Sequence, residues 1–379
     1  METKQIEWED LGVKAELSAF EPEDGVGEFH VILHVRPNGE SFELQLKRLK
    51  AGEQRLMAMA ELEGAIPVME RYFLSDAANQ YPCMEREEKC ACSVIQQPPL
   101  DGSKVGLWIY LQRGTNVYQE KDVWVAEHNG YRHLWKMGMQ ENNGNSFEQT
   151  QHILYHYADI LKEFDATLAE NCIRTWFFVR DVDILYAGMV KARRYYFFDH
   201  GLSEKTHYIA STGIGGVPAD TGAIIQFGAY ALQGFEPEQQ RYLYAPTHLN
   251  PTYEYGVTFE RGTRLEFGDR LHVIISGTAS INNKGEVMYE GDVISQTRRM
   301  WENVGTLLKE GGASYDDVAH IVVYLRDMAD YECVSAMFAE RFTRVPYIIT
   351  QAPVCRPKWL VEMECMAIVP NNNPKYKSF

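Results

Sequence analysis

The 379-residue sequence lacks the features that mark membrane, secreted and nucleic-acid-binding proteins. It has no run of 18 apolar residues, which excludes a transmembrane helix. Its first ten residues contain no basic segment followed by an apolar core, so no secretion signal is predicted. Lysine and arginine total 37 against 53 aspartates and glutamates, a formal charge of −16. Because binding to a phosphate backbone depends on concentrated lysine and arginine, nucleic acid is a poor candidate partner, and a small metabolite is a better one.

Cysteine usage and the lack of familiar catalytic motifs narrow the chemistry further. Seven cysteines, an odd number spread over the chain, favour reduced thiols in the cytoplasm over a disulfide framework. Cys83, Cys90 and Cys92 form a C-x₆-C-x-C cluster without the paired C-x₂₋₄-C or histidine partners of zinc sites. The sequence shows no Ser-His-Asp, HExxH or EF-hand pattern. It therefore predicts neither a bound metal nor a cofactor.

One order of secondary structure occurs twice along the chain. Hydrophobic periodicity in the C-terminal part predicts strand, helix, strand, helix and strand at residues 272–281, 292–310, 321–327, 331–342 and 355–368. The same order is predicted earlier at residues 133–139, 147–170, 176–181, 185–198 and 223–232. Arg180-Asp181 precedes Arg326-Asp327 by 146 positions (326 − 180) in equivalent strands. Such a repeat predicts an α+β fold with helices on one face of each sheet.

The repeat also predicts the domain organisation. Two copies account for most of the chain, and the remaining segments are an alternating, β-rich N-terminal part and a proline-rich connection. The predicted divisions are an extension at 1–80, a degenerate first copy at 81–232, a connecting loop at 233–262 and a catalytic copy at 263–379.

Two acidic residues in the last strand are the first candidates for chemistry. In this strand Val361, Met363 and Cys365 alternate with Glu362 and Glu364. A carboxylate within so apolar a strand is costly unless it is paired, protonated or exposed on a solvated face. An acid kept neutral by an apolar pocket is what general-acid catalysis at neutral pH needs. The parity of the two acids does not decide which of them faces a pocket.

The C-terminal copy resembles the RidA (YjgF) superfamily over roughly residues 263–370. The motifs that carry the resemblance are Ser276-Gly277, Gly291-Asp292, Gln296-Thr297, Glu302-Asn303-Val304, Tyr324-Leu325-Arg326-Asp327 and Val361-Glu362-Met363-Glu364. The resemblance implies a mixed sheet with two helices packed on one face, in trimers or pseudo-trimers with sites at the domain junctions. It leaves open a monomer with pseudo-trimeric packing or a homo-oligomer.

A narrower resemblance, over about residues 130–370, is to the chorismatases, a two-domain branch of that superfamily. It rests on Ser276-Gly277-Thr278-Ala279-Ser280-Ile281, Val354-Cys355-Arg356, Leu360-Val361-Glu362, Ile173-Arg174-Thr175-Trp176 and Ala210-Ser211-Thr212-Gly213-Ile214-Gly215. It implies release of pyruvate from chorismate, leaving a hydroxybenzoate or a dihydroxycyclohexadiene carboxylate. Glu362 is then the general acid that protonates the enolpyruvyl methylene.

The resemblance also suggests roles for other residues. Cys355 matches the branch that releases a hydroxybenzoate, although an inert buried thiol is an equally good interpretation. Arg174 and Arg326 are candidate partners for the two carboxylates of chorismate, because a guanidinium group binds a carboxylate through two hydrogen bonds. Weaker candidates are Arg180, Arg193 and Arg356. The predicted pocket is lined by Gly277, Ala279 and Gly213, the last in a glycine-rich turn without P-loop features.

Two departures from family patterns shape the alternatives. RidA deaminases carry an arginine shortly after the proline equivalent to Pro346, and here Tyr347-Ile348-Ile349-Thr350 follows instead. In the first copy Gln226 falls near the place of Glu362, and an amide cannot donate a proton as a carboxylic acid does. The alternatives to chorismate cleavage are an enamine or imine hydrolase of the RidA type and a non-catalytic protein that binds a small anionic metabolite.

Overall fold

The computed structural model describes residues 1–85 and 89–379, which form three mixed β-sheets with helices against them. The first sheet is built from strands β1 (Glu2–Trp8), β2 (Val13–Phe20), β3 (Gly27–Val35), β4 (Ala65–Leu74), β5 (Ala91–Gln96) and β6 (Val105–Arg113). Its helices are α1 (Phe42–Met57) and α2 (Ala77–Gln80). These elements are the first unit.

The second and third units follow in the chain. The second contains β7 (Asn116–Glu120), β8 (Val123–His128), β9 (Tyr131–Gln140), α3 (Ser146–Glu163), α4 (Leu168–Asn171), β10 (Cys172–Val179), α5 (Val182–Asp199), β11 (Ala210–Gly215), β12 (Val217–Pro218) and β13 (Ile225–Gln233). The third contains β14 (Gln240–Leu243), β15 (Gly262–Glu266), β16 (Arg270–Ala279), α6 (Val293–Gly311), β17 (Val318–Leu325), α7 (Tyr331–Arg341), β18 (Tyr347–Gln351) and β19 (Val361–Pro370). Strand β12 leaves its own unit and pairs with β5.

The three sheets share one strand order. The orders are β1-β2-β3-β6-β4-β5, β7-β8-β9-β13-β10-β11 and β14-β15-β16-β19-β17-β18. The last two strands in each order are parallel, whereas the strand before them is antiparallel to both of its neighbours. The α+β class predicted from the sequence is confirmed, and the strand order occurs three times where the sequence pattern showed two copies.

The first unit differs most from the sequence-based expectation. Residues 1–80 contain the 16-residue helix α1 as well as strands. Strands β5 and β6 were assigned to the second unit from the sequence. In the structure β5 pairs with β4, and β6 pairs with both β3 and β4. The first sheet therefore extends to Arg113. Division of the chain into an extension, a first copy, a connecting loop and a catalytic copy at 80, 232 and 262 stays a prediction.

Local sequence explains the helix ends in the third unit. Asp292 accepts a hydrogen bond from the backbone N–H of Ser295 and caps the start of α6. Gly312 ends that helix at φ 85°, a left-handed conformation that glycine adopts without a steric penalty. The buried side chains of α6 include Met300, Val304 and Leu307. This apolar face packs against β16 and β19 and fixes the strand that carries Glu362 and Glu364.

The opposite sheet faces meet one another rather than solvent. One hydrophobic core combines residues of all three units, for example Trp108, Trp176 and Ile274. Buried ion pairs also cross between units: Arg270 Nη1 of β16 donates to Glu28 Oε1 of β3 at 2.6 Å. In the part of the chain described here, no helix is long and apolar enough to cross a membrane.

Candidate active site

Glu362 and Glu364 are both buried, at 5% and 2% exposure, because the sheet face that carries them packs against other units. Strand β19 lies between β16 and β17, where Glu362 pairs with Ala279 and Tyr324. The solvated-face interpretation of these acids is therefore wrong. The two side chains line different cavities, and this difference separates their chemistry.

Glu362 lines a cavity at the junction of the second and third units. The second unit contributes Tyr186, Arg193 and Gly213, among others. The third unit contributes Gly277, Ala279, Cys355 and Trp359, and the segment before β15 adds Tyr255 and Arg261. Glu362, Cys355, Gly277, Ala279 and Gly213, all selected from the sequence, thus meet in one place. This cavity is called the Glu362 cavity below.

The Glu362 carboxyl is protonated at neutral pH. Burial and, as the second cause, the nearby negative charge of Glu364 together raise its pKa from 4.5 to about 8. The positive charges of Arg261 and Arg174 oppose this shift without cancelling it. Among the described residues, no side chain or backbone group makes a hydrogen bond with the Glu362 carboxyl. The proton is thus free to be donated into the cavity.

Gly277 makes room for this carboxyl. A Cβ atom at Gly277 would lie 2.2 Å from Glu362 Oε1 and 3.0 Å from Thr212 Cγ2. The backbone N–H of Gly277 donates to Thr212 Oγ1 at 2.9 Å, which ties β16 to β11 of the second unit. The glycine is therefore required by the close approach of two side chains.

Two guanidinium groups line the cavity with unsatisfied N–H groups. Arg193 is buried and donates from Nε to Thr258 Oγ1 at 3.2 Å, while its Nη2 has no hydrogen-bond partner among the described residues. Arg261 donates from Nη2 to the Asn250 carbonyl oxygen at 3.0 Å and leaves Nε unpaired within the described chain. Such groups cost free energy unless a ligand or water satisfies them, so they favour an anionic ligand.

Cys355 lies in the same cavity as a neutral thiol. Burial and, as the second cause, the neighbouring Glu362 together raise the pKa of this thiol to about 12, against smaller opposing effects of Tyr186, Arg356 and Arg193. A nucleophilic cysteine needs a lowered pKa. The environment therefore favours Cys355 as a neutral group that contacts a ligand.

Glu364 is an ionised anchor between the three units. Its oxygens accept hydrogen bonds from Arg174 Nη2 at 2.8 Å, Thr212 Oγ1 at 2.5 Å, Trp176 Nε1 at 3.0 Å and Arg71 Nη1 at 3.2 Å. Burial alone would raise the pKa of Glu364, but the two guanidinium groups and these hydrogen bonds hold it below 4.5. Glu364 is consequently a poor proton donor at neutral pH.

The two arginines selected from the sequence lie outside the Glu362 cavity. Arg174 is committed to Glu364 and Thr212 and faces a different cavity. Arg326 forms a two-pronged ion pair with Asp183 at 2.9 Å for both contacts, which joins β17 to the start of α5. Their place in the Glu362 cavity is taken by Arg193, Arg261 and the more exposed Arg356, which donates to the Tyr255 carbonyl oxygen.

Sequence reasoning ranked Arg193 low and missed Arg261. In the sequence Arg261 follows the aromatic residues Tyr255 and Phe259, and in the structure its guanidinium lies 5.3 and 5.4 Å from their ring centres. This proximity of an arginine to two aromatic residues was the sequence signal for Arg261. Cys83, Cys90 and Cys92 are reduced cysteines, exposed, buried and half-buried respectively. In residues 1–85 and 89–379, no group of three or more His, Cys, Asp or Glu side chains is arranged to hold a metal ion.

Similarity to known proteins agrees with this architecture. The sequence profile of the family described as Endoribonuclease L-PSP matches residues 268–369. A RutC family protein of Pyrococcus abyssi is 31% identical over 100 residues, which cover 25% of this chain and 76% of that protein. The 3-aminoacrylate deaminase RutC of Acinetobacter baylyi is 31% identical over 99 residues, or 26% of this chain and 79% of the relative.

Most of the fold is matched by a solved structure. A crystal structure of chorismatase superposes with a TM-score of 0.63 at 18% identity, and the match covers 80% of this chain and 93% of the chorismatase chain. At that identity the match establishes the fold. Together with the sequence matches it confirms the resemblance first indicated by the motifs in β16, β17 and β19. The chain belongs to the RidA superfamily, the family of the Endoribonuclease L-PSP profile.

Proposed function

We propose that this protein releases pyruvate from chorismate, or from a closely similar enolpyruvyl ether, with Glu362 as the general acid. One observation carries the proposal: a buried carboxyl group with a pKa of about 8 shares a cavity with two guanidinium groups that have unsatisfied N–H groups. A carboxyl group with a raised pKa supplies the proton, and the guanidinium groups suit an anionic substrate. The fold shared with a chorismatase supports the same assignment.

The charges in the cavity suit a dicarboxylate. Chorismate carries one carboxylate on its ring and one on its enolpyruvyl group. Arg193 and Arg261 each have a buried nitrogen available for one of them. Because Glu362 is neutral when protonated, it adds no repulsion against the bound anion. We expect Arg193 and Arg261, rather than Arg174 and Arg326, to hold the two carboxylates.

The proposed step begins with proton transfer. The Glu362 proton moves to the terminal methylene carbon of the enol ether, and the electron pair of the C=C bond forms the new C–H bond. The ether carbon becomes oxocarbenium-like, and addition of one water followed by cleavage of the C–O bond gives pyruvate and a dihydrodiol. Loss of one ring hydroxyl as water in the same site then gives a hydroxybenzoate, so that no net water is consumed. The released proton restores the acid form of Glu362.

Cys355 is proposed to influence which product leaves. As a neutral thiol beside Tyr186, it contacts the ligand without forming a covalent bond. We expect it to lie next to the ring rather than the enol ether. This position favours aromatisation to the hydroxybenzoate over release of the dihydrodiol.

A second candidate is hydrolysis of an enamine or imine. The observation that favours it is the 31% identity of part of this chain to a 3-aminoacrylate deaminase. Deamination would use the same acid, but the segment after Pro346 supplies no arginine. Release of ammonia from 3-aminoacrylate distinguishes this reaction from release of pyruvate from chorismate.

The direct experiment is to incubate the purified full-length chain with chorismate. Pyruvate is measured with a coupled dehydrogenase, and the second product is identified by chromatography. We expect pyruvate and one aromatic or dihydroaromatic acid in equal amounts. Ammonia from 3-aminoacrylate without pyruvate from chorismate would instead establish the deaminase, and neither product would favour a binding protein.

A further inference from the structure

A separate cavity of about 100 Å³ lies between the second and third units, and Arg261 is the one lining residue that it shares with the Glu362 cavity. Its wall is formed by residues 203–208, which follow α5, and by residues 244–261 of the connection between β14 and β15. It is called the Glu260 cavity below. Because a cavity of about 150 Å³ can hold benzene, this one has room for about four non-hydrogen atoms.

Glu260 is held rigidly in the wall of this cavity, with only 7% of the residue exposed. Its backbone N–H donates to the Ile209 carbonyl oxygen at 3.0 Å, and its own carbonyl oxygen accepts from Ser276 Oγ at 2.6 Å. In the side chain, Oε1 accepts from the backbone N–H of Tyr208 at 2.7 Å. Among the described residues, Oε2 accepts no hydrogen bond. One oxygen of a buried carboxyl group is therefore available to a ligand.

The Glu260 carboxyl carries a negative charge at mildly alkaline pH. Burial raises its pKa from 4.5 to about 6, against opposing effects of the Tyr208 backbone N–H and the positive charge of Arg261. At pH 8 the carboxylate therefore predominates. A buried charge is costly unless it is paired, so this carboxylate favours a positively charged ligand.

Arg261 does not supply the missing partner. Its Nη2 donates to the carbonyl oxygen and to Oδ1 of Asn250, at 3.0 and 3.2 Å, and within the described chain it forms no ion pair with Glu260. The lining also contains the carboxyl group of Glu204. Two carboxyl groups against one guanidinium group make the cavity unsuitable for the dicarboxylate proposed for the Glu362 cavity.

Tyrosine rings form another part of the lining. Tyr208, Tyr244 and Tyr253 all contribute, and the last two are 48% and 46% exposed. In the part of the chain that the structure describes, the rings of Tyr244 and Tyr253 stack neither on another ring nor on a guanidinium group. The face of a tyrosine ring attracts a cation. These two rings therefore offer a cation a second attraction beside Glu260.

We propose that the Glu260 cavity binds a small organic cation with a primary ammonium group. The ammonium group donates a hydrogen bond to Glu260 Oε2 and pairs with its charge, while the carbon atoms lie against Tyr244 and Tyr253. The site is distinct from the proposed catalytic site, because it does not contain Glu362 and suits a ligand of opposite charge.

The test uses n-propylammonium chloride with the full-length chain at pH 8, and n-propanol as an uncharged probe of similar shape. Binding is measured by saturation-transfer NMR, which detects weak ligands. We expect saturable binding of the amine, and binding of the alcohol at least about tenfold weaker because it lacks the charge that pairs with Glu260. A crystal structure with the amine bound gives its position directly.

Three variants locate the binding. Glu260→Gln keeps the shape of the side chain and the oxygen that accepts from Tyr208, and we expect it to weaken amine binding at least about tenfold. Glu254→Gln removes the same charge from an exposed position of the same connection, outside the lining, and should leave binding unchanged. Glu362→Gln removes the acid of the other cavity and should also leave it unchanged.

Should Glu260→Gln fail to fold, the position of the amine in the wild-type crystal decides. Equal binding of amine and alcohol would overturn the proposal, as would equal losses in Glu260→Gln and Glu254→Gln. An amine found only in the Glu362 cavity, or no saturable binding, would also overturn it.

Discussion

The three units place three different residues at one equivalent position. Glu362, Gln226 and Gly106 are each the second residue of β19, β13 and β6, the strand that runs antiparallel to both of its neighbours. Glu362 pairs with Tyr324 of β17, Gln226 pairs with Phe178 of β10, and Gly106 pairs with Phe73 of β4. The fold thus offers the same site three times, and only the third unit fills it with an acid.

The other two positions are closed in different ways. Gln226 Nε2 donates to Ser93 Oγ of the first unit at 2.8 Å, and Gln226 Oε1 accepts from Gln140. At Gly106 a Cβ atom would lie 2.6 Å from Ile348 Cδ1 of the third unit, so an apolar side chain occupies the place. Ser93 on β5 and Ile348 on β18 occupy the position that Thr212 on β11 occupies beside Glu362. The three residues are equivalent because each lies at the same register on a strand that pairs in parallel with its neighbour.

The comparison teaches what a buried acid needs besides position. A protonated carboxyl is tolerated at Glu362 because Gly277 makes room for it and a cavity with two guanidinium groups lies beside it. Where a side chain from the neighbouring unit fills the junction, the equivalent residue is the amide Gln226 or Gly106, which has no side chain. The following predictions test this contrast.

The largest expected effect is on catalysis at the acid itself. Glu362→Gln keeps the shape of the side chain and loses the transferable proton, so release of pyruvate from chorismate should fall by about 10²–10⁴-fold while chorismate still binds. Gln226→Met at the equivalent position of the second unit serves as the control and should keep the wild-type rate. A coupled pyruvate assay measures both, and turnover by Glu362→Gln at the wild-type rate would rule out the general-acid role.

The neighbouring acid should matter for stability instead. Glu364→Gln leaves Arg71 and Arg174 buried without their anion, and we expect a loss of about 3–5 kcal/mol in the free energy of unfolding. Asp183→Asn is the matched control, because its pair with Arg326 is partly exposed and contributes less than about 1 kcal/mol. Urea unfolding compares the two variants; equal losses would mean that Glu364 does not anchor the units.

Two glycines give a matched pair across the junctions. Gly277→Ala pushes a Cβ atom into the Glu362 carboxyl, and a displacement of about 1 Å there should cost on the order of 10²-fold in rate. Gly106→Ala places its Cβ atom against Ile348 Cδ1 and away from Glu362, so it should lower stability by about 1–3 kcal/mol and leave the rate of the folded protein unchanged. Rates and unfolding curves of both variants check this, and a Gly277→Ala enzyme with full activity would contradict the proposed geometry.

The pH dependence follows from the raised pKa of Glu362. Its folded-state pKa of about 8 exceeds the ordinary value of 4.5, so the folded protein retains a proton that the unfolded chain loses. The stabilisation from this group is complete below about 4.5 and is lost as pH rises to about 8. Activity should likewise decline by about tenfold per pH unit above this pKa. In Glu362→Gln the contribution to the stability curve disappears; a curve identical to wild type would show that Glu362 does not titrate in this range.

The smallest expected effect on rate concerns Cys355. Because its thiol is neutral, Cys355→Ala should retain pyruvate release within about an order of magnitude, well short of the loss expected for the acid. The product should shift from hydroxybenzoate toward the dihydrodiol, as seen by chromatography. Cys333→Ala, a half-buried thiol on α7, is the control and should leave the product unchanged. Complete loss of pyruvate release in Cys355→Ala would point to a nucleophilic cysteine.

Much of the third unit was predictable because its signals are local. The cap at Asp292 and the glycine at Gly312 fix the ends of α6, and the alternation around Glu362 fixes β19. Strands β11 and β18 escaped prediction because they are short, parallel edge strands whose partners are distant in sequence. In the first unit the repeat was hidden, since the one-turn helix α2 stands where the other units have α5 and α7.

The residues around the acid were only partly predictable, for a physical reason. Gly277, Ala279 and Cys355 belong to the same unit as Glu362 and follow from its motifs. Arg193 reaches the cavity through packing between units, which periodicity within one unit does not encode. Arg174 faces a different cavity, lined by residues of all three units, whereas Arg193 on α5 reaches the Glu362 cavity.

The most direct test of proton donation by Glu362 is the hydrogen content of the pyruvate. The reaction with chorismate is run in D₂O, and pyruvate is trapped as lactate by the coupled dehydrogenase before its methyl group exchanges. Because Glu362 exchanges its proton with solvent and delivers it to the enolpyruvyl methylene, we predict one deuterium in every methyl group by NMR. Pyruvate formed without deuterium would mean that its hydrogen came from the chorismate ring, and would contradict general-acid catalysis by Glu362.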